Sequence, residues 1–210
     1  MRKKKTIYGL TEQEQDALRR LNTPRKIQDF LETLRANDGN DTCRSPRRVL
    51  QTKRAHCIEG AMLAALALRL QGHRPLIVDF ESAPHDLDHV VTVYRRHGHW
   101  GAISKTNHVV LRFREPVYRS IRELALSYFH EYFDDDGRKT MRTFSRPVDL
   151  SRFDRRGWMT SDEDVWYVPE YLVDIPHTPI LTRAQLAGLR RADPIEIAAG
   201  EAVQWKTDEY

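Results

Sequence analysis

Residues 61–70, AMLAALALRL, are apolar at every position except Arg69. A helix with no polar face cannot rest on a surface, so this stretch has to form the centre of a core. It is too short to cross a bilayer, and it carries a charge. The helix reads from about Ala55 to Gln71, with Gly72 as its left-handed stop. A chain of 210 residues that is 40% hydrophobic can wrap one sizeable core around such a helix. With 30% charged residues the exterior is well solvated and wholesale disorder is not expected.

The flanking sequence supplies the layers. Glu12 to Leu21 and Pro24 to Arg35 read as helices, the second capped by Asn22 or Thr23 with Pro24 at its first position. Its apolar stripe is Ile27, Phe30, Leu31 and Leu34. Asn37 to Asp41 is a turn-rich loop. Beyond Gly72 the apolar period becomes twofold. Pro75 to Phe80 and His89 to Tyr94 read as strands. Arg96-His97-Gly98-His99 is a hairpin turn that returns the chain through Trp100 to Ser104. Pro116 is expected to open a long amphipathic helix through Phe133. After Lys139 only short strands and turns are suggested, with a helix at Thr182 to Arg191. The expected class is therefore α+β in a single domain, 1–210. It divides into a helical N-terminal part (1–50), a core (51–133) and a C-terminal extension (134–210) without an assigned role.

Cys57 stands at the mouth of the central helix. A thiol does acyl chemistry as its thiolate, and both a helix N-terminus and a neighbouring imidazolium favour that form. Cys57 has the first. His89, at the start of a strand whose Val91 and Val93 share its face, is the candidate for the second. The competing reading is an inert buried cysteine packing beside Ala61. Cys43, in a polar loop, reads as structural, and the two cysteines are expected as thiols rather than as a disulfide.

The strings AHCIEGAMLAALALRLQGHRPLIVDF and DHVVTVYRRHGHWGAISKTN, within residues 51–106, resemble the transglutaminase-like superfamily. The resemblance implies a papain-like core in which the helix bearing the Cys packs on an antiparallel sheet bearing the His. It also implies that Cys57 is the nucleophile and His89 the general base and acid. The family's third residue, an Asp, falls on Ser104. Counting across the hairpin agrees: with His97-Gly98 at the turn, His89 faces Thr106, and Ser104 is its diagonal neighbour on the same face. A serine hydroxyl accepts a hydrogen bond from the ring but offers it no charge. Asn107 is the alternative orienter, provided the strand ends or bulges before it. Asp86 and Asp88 also flank His89. The third member stays open between these. Gln51 precedes the cysteine at the spacing of a papain-like oxyanion glutamine, beside the Cys57 N–H as first donor. Trp100 is either a wall of the site or hairpin packing.

These residues lead to an expected function: a thiol-dependent amide-bond hydrolase or acyl transferase acting on a peptide or protein amide through a covalent acyl-enzyme. The alternative is a catalytically weak or inactive member of the fold serving as a protein-interaction module, favoured by the missing carboxylate. No cofactor is expected, and no metal: His56-Cys57 and His85 to His89 supply ligand types without ligand spacing. The net charge of +4 and pI near 9.1 are mild, and no reading element for nucleic acid is evident. Arg44, Arg47, Arg48, Lys53 and Arg54 read as a solvated loop or as a rim for an acidic substrate. The basic run Arg2 to Lys5 is followed at once by polar residues, not by a signal-like apolar stretch, and the expected location is the cytoplasm without membrane contact.

Overall fold

The computed structural model describes residues 7–36 and 41–205. The basic N-terminal run and most of the Asn37–Asp41 loop lie outside the described residues. The helices before the central one are α1 (Glu12–Arg20), α2 (Pro24–Glu32) and α3 (Pro46–Thr52). Each has a side-chain oxygen at its start: Thr11, Thr23 and Ser45 accept from backbone N–H groups of the first turn. The central helix is α4 (Cys57–Leu70), and Gly72, at φ 88°, follows its end in the left-handed region that only glycine enters freely.

The sheet is antiparallel throughout. Its strands are β1 (Leu76–Glu81), β2 (His89–Arg96), β3 (His99–Ile103), β4 (Arg114–Tyr118), β5 (Thr143–Ser145), β6 (Val148–Asp149) and β7 (His177–Pro179). They run in the order β4-β3-β2-β1-β5-β7, with β6 also paired to β1. The β2–β3 turn holds His97 at φ 50° and Gly98 at φ 81°, a two-residue connection with both centres left-handed. That turn fixes the register Arg96↔His99 through Thr92↔Ile103. The remaining elements are a 3₁₀ helix (Leu150–Arg156), α5 (Ile121–Phe129), α6 (Tyr167–Asp174), α7 (Arg183–Ala187) and α8 (Pro194–Gly200).

Strand alternation splits the core in two. Ile77, Val90, Tyr94 and Ile103 pack against α4 and the layer of α1, α2, α3, α6 and the 3₁₀ helix. Val78, Phe80, Val91, Val93 and Ala102 pack against α5, Tyr132 and Met141 on the other face. In α4 every residue from Ile58 to Leu68 is buried, which is why it has no polar face. Among the described residues no helix is long and apolar enough to cross a membrane.

Two expectations are corrected. The segment after Pro116 does not open a helix: Arg114–Tyr118 is the edge strand β4, and its burial alternates. An edge tolerates a proline that donates nothing. The helix starts only after Ser120, whose hydroxyl accepts from Glu123 N at 3.1 Å, and it stops at Phe129, short of Phe133. The segment after Lys139 has the short strands expected of it, but it is not an extension beside the core. It contributes three strands to the common sheet and the helix α6, whose Val168 and Leu172 are core residues.

Candidate active site

The site begins at the N-terminus of α4. Cys57 is the first helical residue, so its N–H has no acceptor inside the helix. Its side chain is half-buried and borders a cleft of about 900 Å³, which His56, His89, Lys105 and Asn107 also line. The thiol is free, as is that of Cys43.

His89 is the first residue of β2 and is 6% exposed. By strand parity it belongs to the Val91 and Val93 face. At the rim of the sheet it nonetheless lines the same cleft as Cys57, which comes from the opposite layer. Its Nε2 lies 2.8 Å from Ser104 Oγ, and Ser104 Oγ lies 2.6 Å from the carbonyl oxygen of Leu111. A carbonyl only accepts, so the single hydroxyl proton goes to Leu111 and the hydroxyl oxygen accepts from His89 Nε2–H. That fixes the ring as the Nε2-protonated tautomer or the imidazolium, and leaves Nδ1 as the nitrogen not engaged by Ser104. Ser104 is itself clamped. Its N–H donates to Gln28 Oε1 at 2.9 Å and its carbonyl accepts from Gln28 Nε2 at 2.8 Å. The glutamine amide continues the ladder where β3 leaves the sheet.

On the other side of Cys57 stands His56. Its Nε2 donates to the Thr42 carbonyl, and the ring lies 3.7 Å from Glu59. Glu59 is completely buried and occupies the third position of α4. Its carboxylate accepts from His56 N at 3.1 Å, Thr42 Oγ1 at 2.8 Å and Arg44 N at 2.7 Å. Burial opposes charge on Cys57, yet hydrogen bonds from His56 and then His89, with the charges of both rings, lower its pKa to about 5. Burial likewise opposes charge on His56, but the Cys57 bond, Glu59 and the Thr42 carbonyl raise it to about 9. Cys43 goes the other way: burial and the nearby Glu59 and Asp164 carboxylates push its thiol up. The two thiols are thus shifted in opposite directions.

The remaining candidates fall elsewhere. Asn107 lines the cleft, but its amide pairs with Trp205, Nδ2 donating to Trp205 O and Oδ1 accepting from Trp205 N, both at 3.0 Å. It ties down the C-terminal segment and makes no hydrogen bond to His89. Gln51 is exposed on α3 and does not line the cleft. Asp88 accepts from Ser82 N at 2.8 Å, and Asp86 accepts from Leu87 N at 2.7 Å and from Thr140 Oγ1, so both serve the loop before β2. Trp100 packs against the α5-side core under Arg95. Arg44, Arg47 and Arg48 pair with Glu59, Glu14 and Asp164, so they hold the N-terminal layer together rather than forming a rim. Lys105 is buried, with Nζ donating to the Leu34 carbonyl at 2.7 Å. The cleft is acidic instead, with Asp41, Asp86, Asp88, Glu131, Asp134, Asp135 and Glu201 among its lining residues.

Sequence reasoning treated His56 only as a metal-ligand type and passed over Glu59. The available signal was a carboxylate three positions after the helix cap, within HCIEG, which marks a reciprocal cap. Among the described residues no cluster of side chains is arranged to hold a metal ion. No protein-family model matches the chain, and no curated protein matches it.

Proposed function

We propose that this chain is a thiol-dependent amide-bond hydrolase or acyl transferase with Cys57 as nucleophile and His89 as proton carrier. One observation carries the reading: a half-buried thiol at a helix N-terminus borders the same cleft as an imidazole whose Nε2 is fixed by Ser104. The resemblance of residues 51–106 to transglutaminase-like proteins supports the same assignment.

The chemistry runs in two halves. The Cys57 thiolate attacks the substrate carbonyl carbon, and the Cys57 N–H is the nearest backbone donor for the developing oxyanion. As the C–N bond breaks, the departing nitrogen takes the proton from the His89 imidazolium, leaving a thioester on Cys57. Water or an amine then gives a proton to His89 as it attacks the thioester. The C–S bond breaks, and the acid or the new amide leaves with the thiolate restored. The substrate class is a peptide or protein amide, and the proposed setting is the cytoplasm.

Acylation by an activated ester tests this directly. With p-nitrophenyl acetate, the peptide containing Cys57 should gain an acetyl group by mass spectrometry, with a burst of nitrophenolate. Cys57→Ser should abolish the burst and His89→Ala should slow both halves. A wild-type protein that acetylates no faster at Cys57 than at Cys43 would sink the proposal.

The serine at position 104 favours a second reading, an interaction module on the same fold, because a neutral hydroxyl supports an imidazolium less than a carboxylate does. Acyl-enzyme formation without turnover on any amide would favour that reading.

A further inference from the structure

We propose that His56 is a second catalytic imidazole, the cationic partner of the Cys57 thiolate, and that Glu59 positions it and supplies the negative charge that position 104 lacks. The inference rests on the reading of Cys57 as a nucleophile, and it divides the work between two rings.

The argument is one of protons and charge. The Thr42 carbonyl can only accept, so Nε2 of His56 carries a proton. The ring also belongs to the residue next to Cys57 at the head of α4, and both residues line the cleft. To offset a thiolate the ring must carry two protons, and with Nε2 already donating to Thr42 the second sits on Nδ1. The ring is then an imidazolium, and the thiol's proton has moved from Sγ to His56 with nothing else gained or lost. A buried carboxylate 3.7 Å away makes that charge tolerable: Glu59 is fully buried, accepts from three donors and lies 3.8 Å from Arg44 Nη1. His89 has no carboxylate within its hydrogen bonds; its partner is a hydroxyl. The charged support therefore lies behind His56, and the neutral, tautomer-fixing support lies behind His89. In this division His56 holds the thiolate as an ion pair; His89 enters the cycle protonated from solvent, gives its Nδ1 proton to the departing nitrogen and regains one from the incoming water or amine, so the proton count closes over a turnover.

The sequence logic is local. A histidine just before the helix is placed by its backbone N–H, which donates to the Glu59 side chain one turn on, so ring and carboxylate are brought together by the cap itself. The other titratable or charged groups acting on this pair are Arg44 and Cys43 from the segment before α3, His89 from β2, Asp79 from β1, and Tyr132.

The test follows iodoacetamide alkylation of Cys57 against pH in a Cys43→Ser background. His56→Gln keeps a donor for the Thr42 carbonyl but cannot carry charge. We expect it to slow alkylation at about pH 6 by at least about tenfold and to move the profile upward, whereas His56→Lys restores part of the rate. The second measurement needs no variant of His56: nitrogen chemical shifts of the wild-type ring should be those of imidazolium at neutral pH and should become neutral in Cys57→Ser. An unchanged alkylation profile in a folded His56→Gln protein, or a neutral His56 ring in the wild type, overturns the inference. A profile that depends on His89 alone overturns it while leaving the proposed function standing. A profile that depends on His56 in a protein that never forms an acyl-enzyme upholds the ion pair and sinks the proposed function instead.

Discussion

His89 Nε2 lies 2.8 Å from Ser104 Oγ, and both side chains are buried, with the serine wholly inaccessible. The hydroxyl passes its own proton to the Leu111 carbonyl at 2.6 Å, so it meets the ring as an acceptor. This one contact fixes the proton on Nε2 of His89, and it does so without adding charge.

Replacing that hydroxyl separates orientation from charge. Ser104→Ala should reduce acyl transfer by about ten- to a hundredfold through loss of tautomer control, while the Cys57 alkylation profile moves little. Ser104→Asp should not improve the site. A carboxylate in the same place would confront the Leu111 carbonyl, which also only accepts, and thermal melting should show destabilisation of about 1–3 kcal/mol. A Ser104→Asp protein that is both stable and faster would refute this account of the contact.

The thiolate pair predicts the shape of stability against pH. Cys57 lies below its ordinary value of 9.0, so its contribution is complete above that value and is lost as pH falls through about 5. His56 lies above its ordinary 6.5, so its contribution is complete below 6.5 and is lost as pH rises through about 9. The stability difference between wild type and Cys57→Ser should therefore rise from about pH 5 to about 6.5 and then stay level to about 9, because the two slopes cancel. Urea titrations across that range would check it; a difference flat across the whole range would contradict it.

Asp79 gives a slope of the opposite sense. Burial and the nearby Asp88, partly offset by His177 at 3.1 Å, raise its carboxyl to about 6. Its Oδ1 is buried without a hydrogen bond. The folded state thus keeps a proton that the unfolded chain has already released, and Asp79 costs stability as pH rises from its ordinary 3.8 through about 6. Asp79→Asn should gain on the wild type over that interval, measured by melting at the two ends. A constant difference would show that burial is not what sets this group.

Gly60 sets how closely α4 approaches the segment that follows β3. A methyl there would overlap Lys105 Cβ and crowd Cγ at 3.1 Å. Alanine is the better helix former by about 1 kcal/mol, but overpacking costs about 1–3 kcal/mol, and Lys105 is pinned to Leu34. Gly60→Ala should therefore destabilise the protein and, one turn from Cys57, slow acylation as well. Chemical denaturation and the acetylation burst read the two effects.

Asn107 anchors the segment after α8 through its two bonds to Trp205, and its own carbonyl accepts from Gln204 N at 2.8 Å. Asn107→Ala should leave the Cys57 alkylation profile unchanged while hydrogen exchange at 202–205 accelerates by about tenfold or more. If the alkylation profile shifted instead, the residue would belong to the proton relay after all.

Much of this arrangement is determined by the sequence alone because it depends on short-range geometry. The run from Ala61 to Leu70 has no polar face and must be central. His97-Gly98 admits a two-residue turn, and its register places Ser104 diagonal to His89 by counting alone. What only the tertiary structure decided depends on partners far apart in the chain. Pro116 reads as a helix start by its sequence, and only its position beside β3 makes it an edge-strand residue. Asn107 shares its amide with a residue 98 positions away, and Gln28 reaches 76 positions to clamp Ser104. Glu59 is marked as a cap by its spacing from His56, yet its burial under Thr42 and Arg44 turns that cap into a fixed charge behind a second imidazole. Local periodicity and turn chemistry set the backbone. Desolvation, and with it the charge a buried ring or thiol carries, is a property of the packed surroundings.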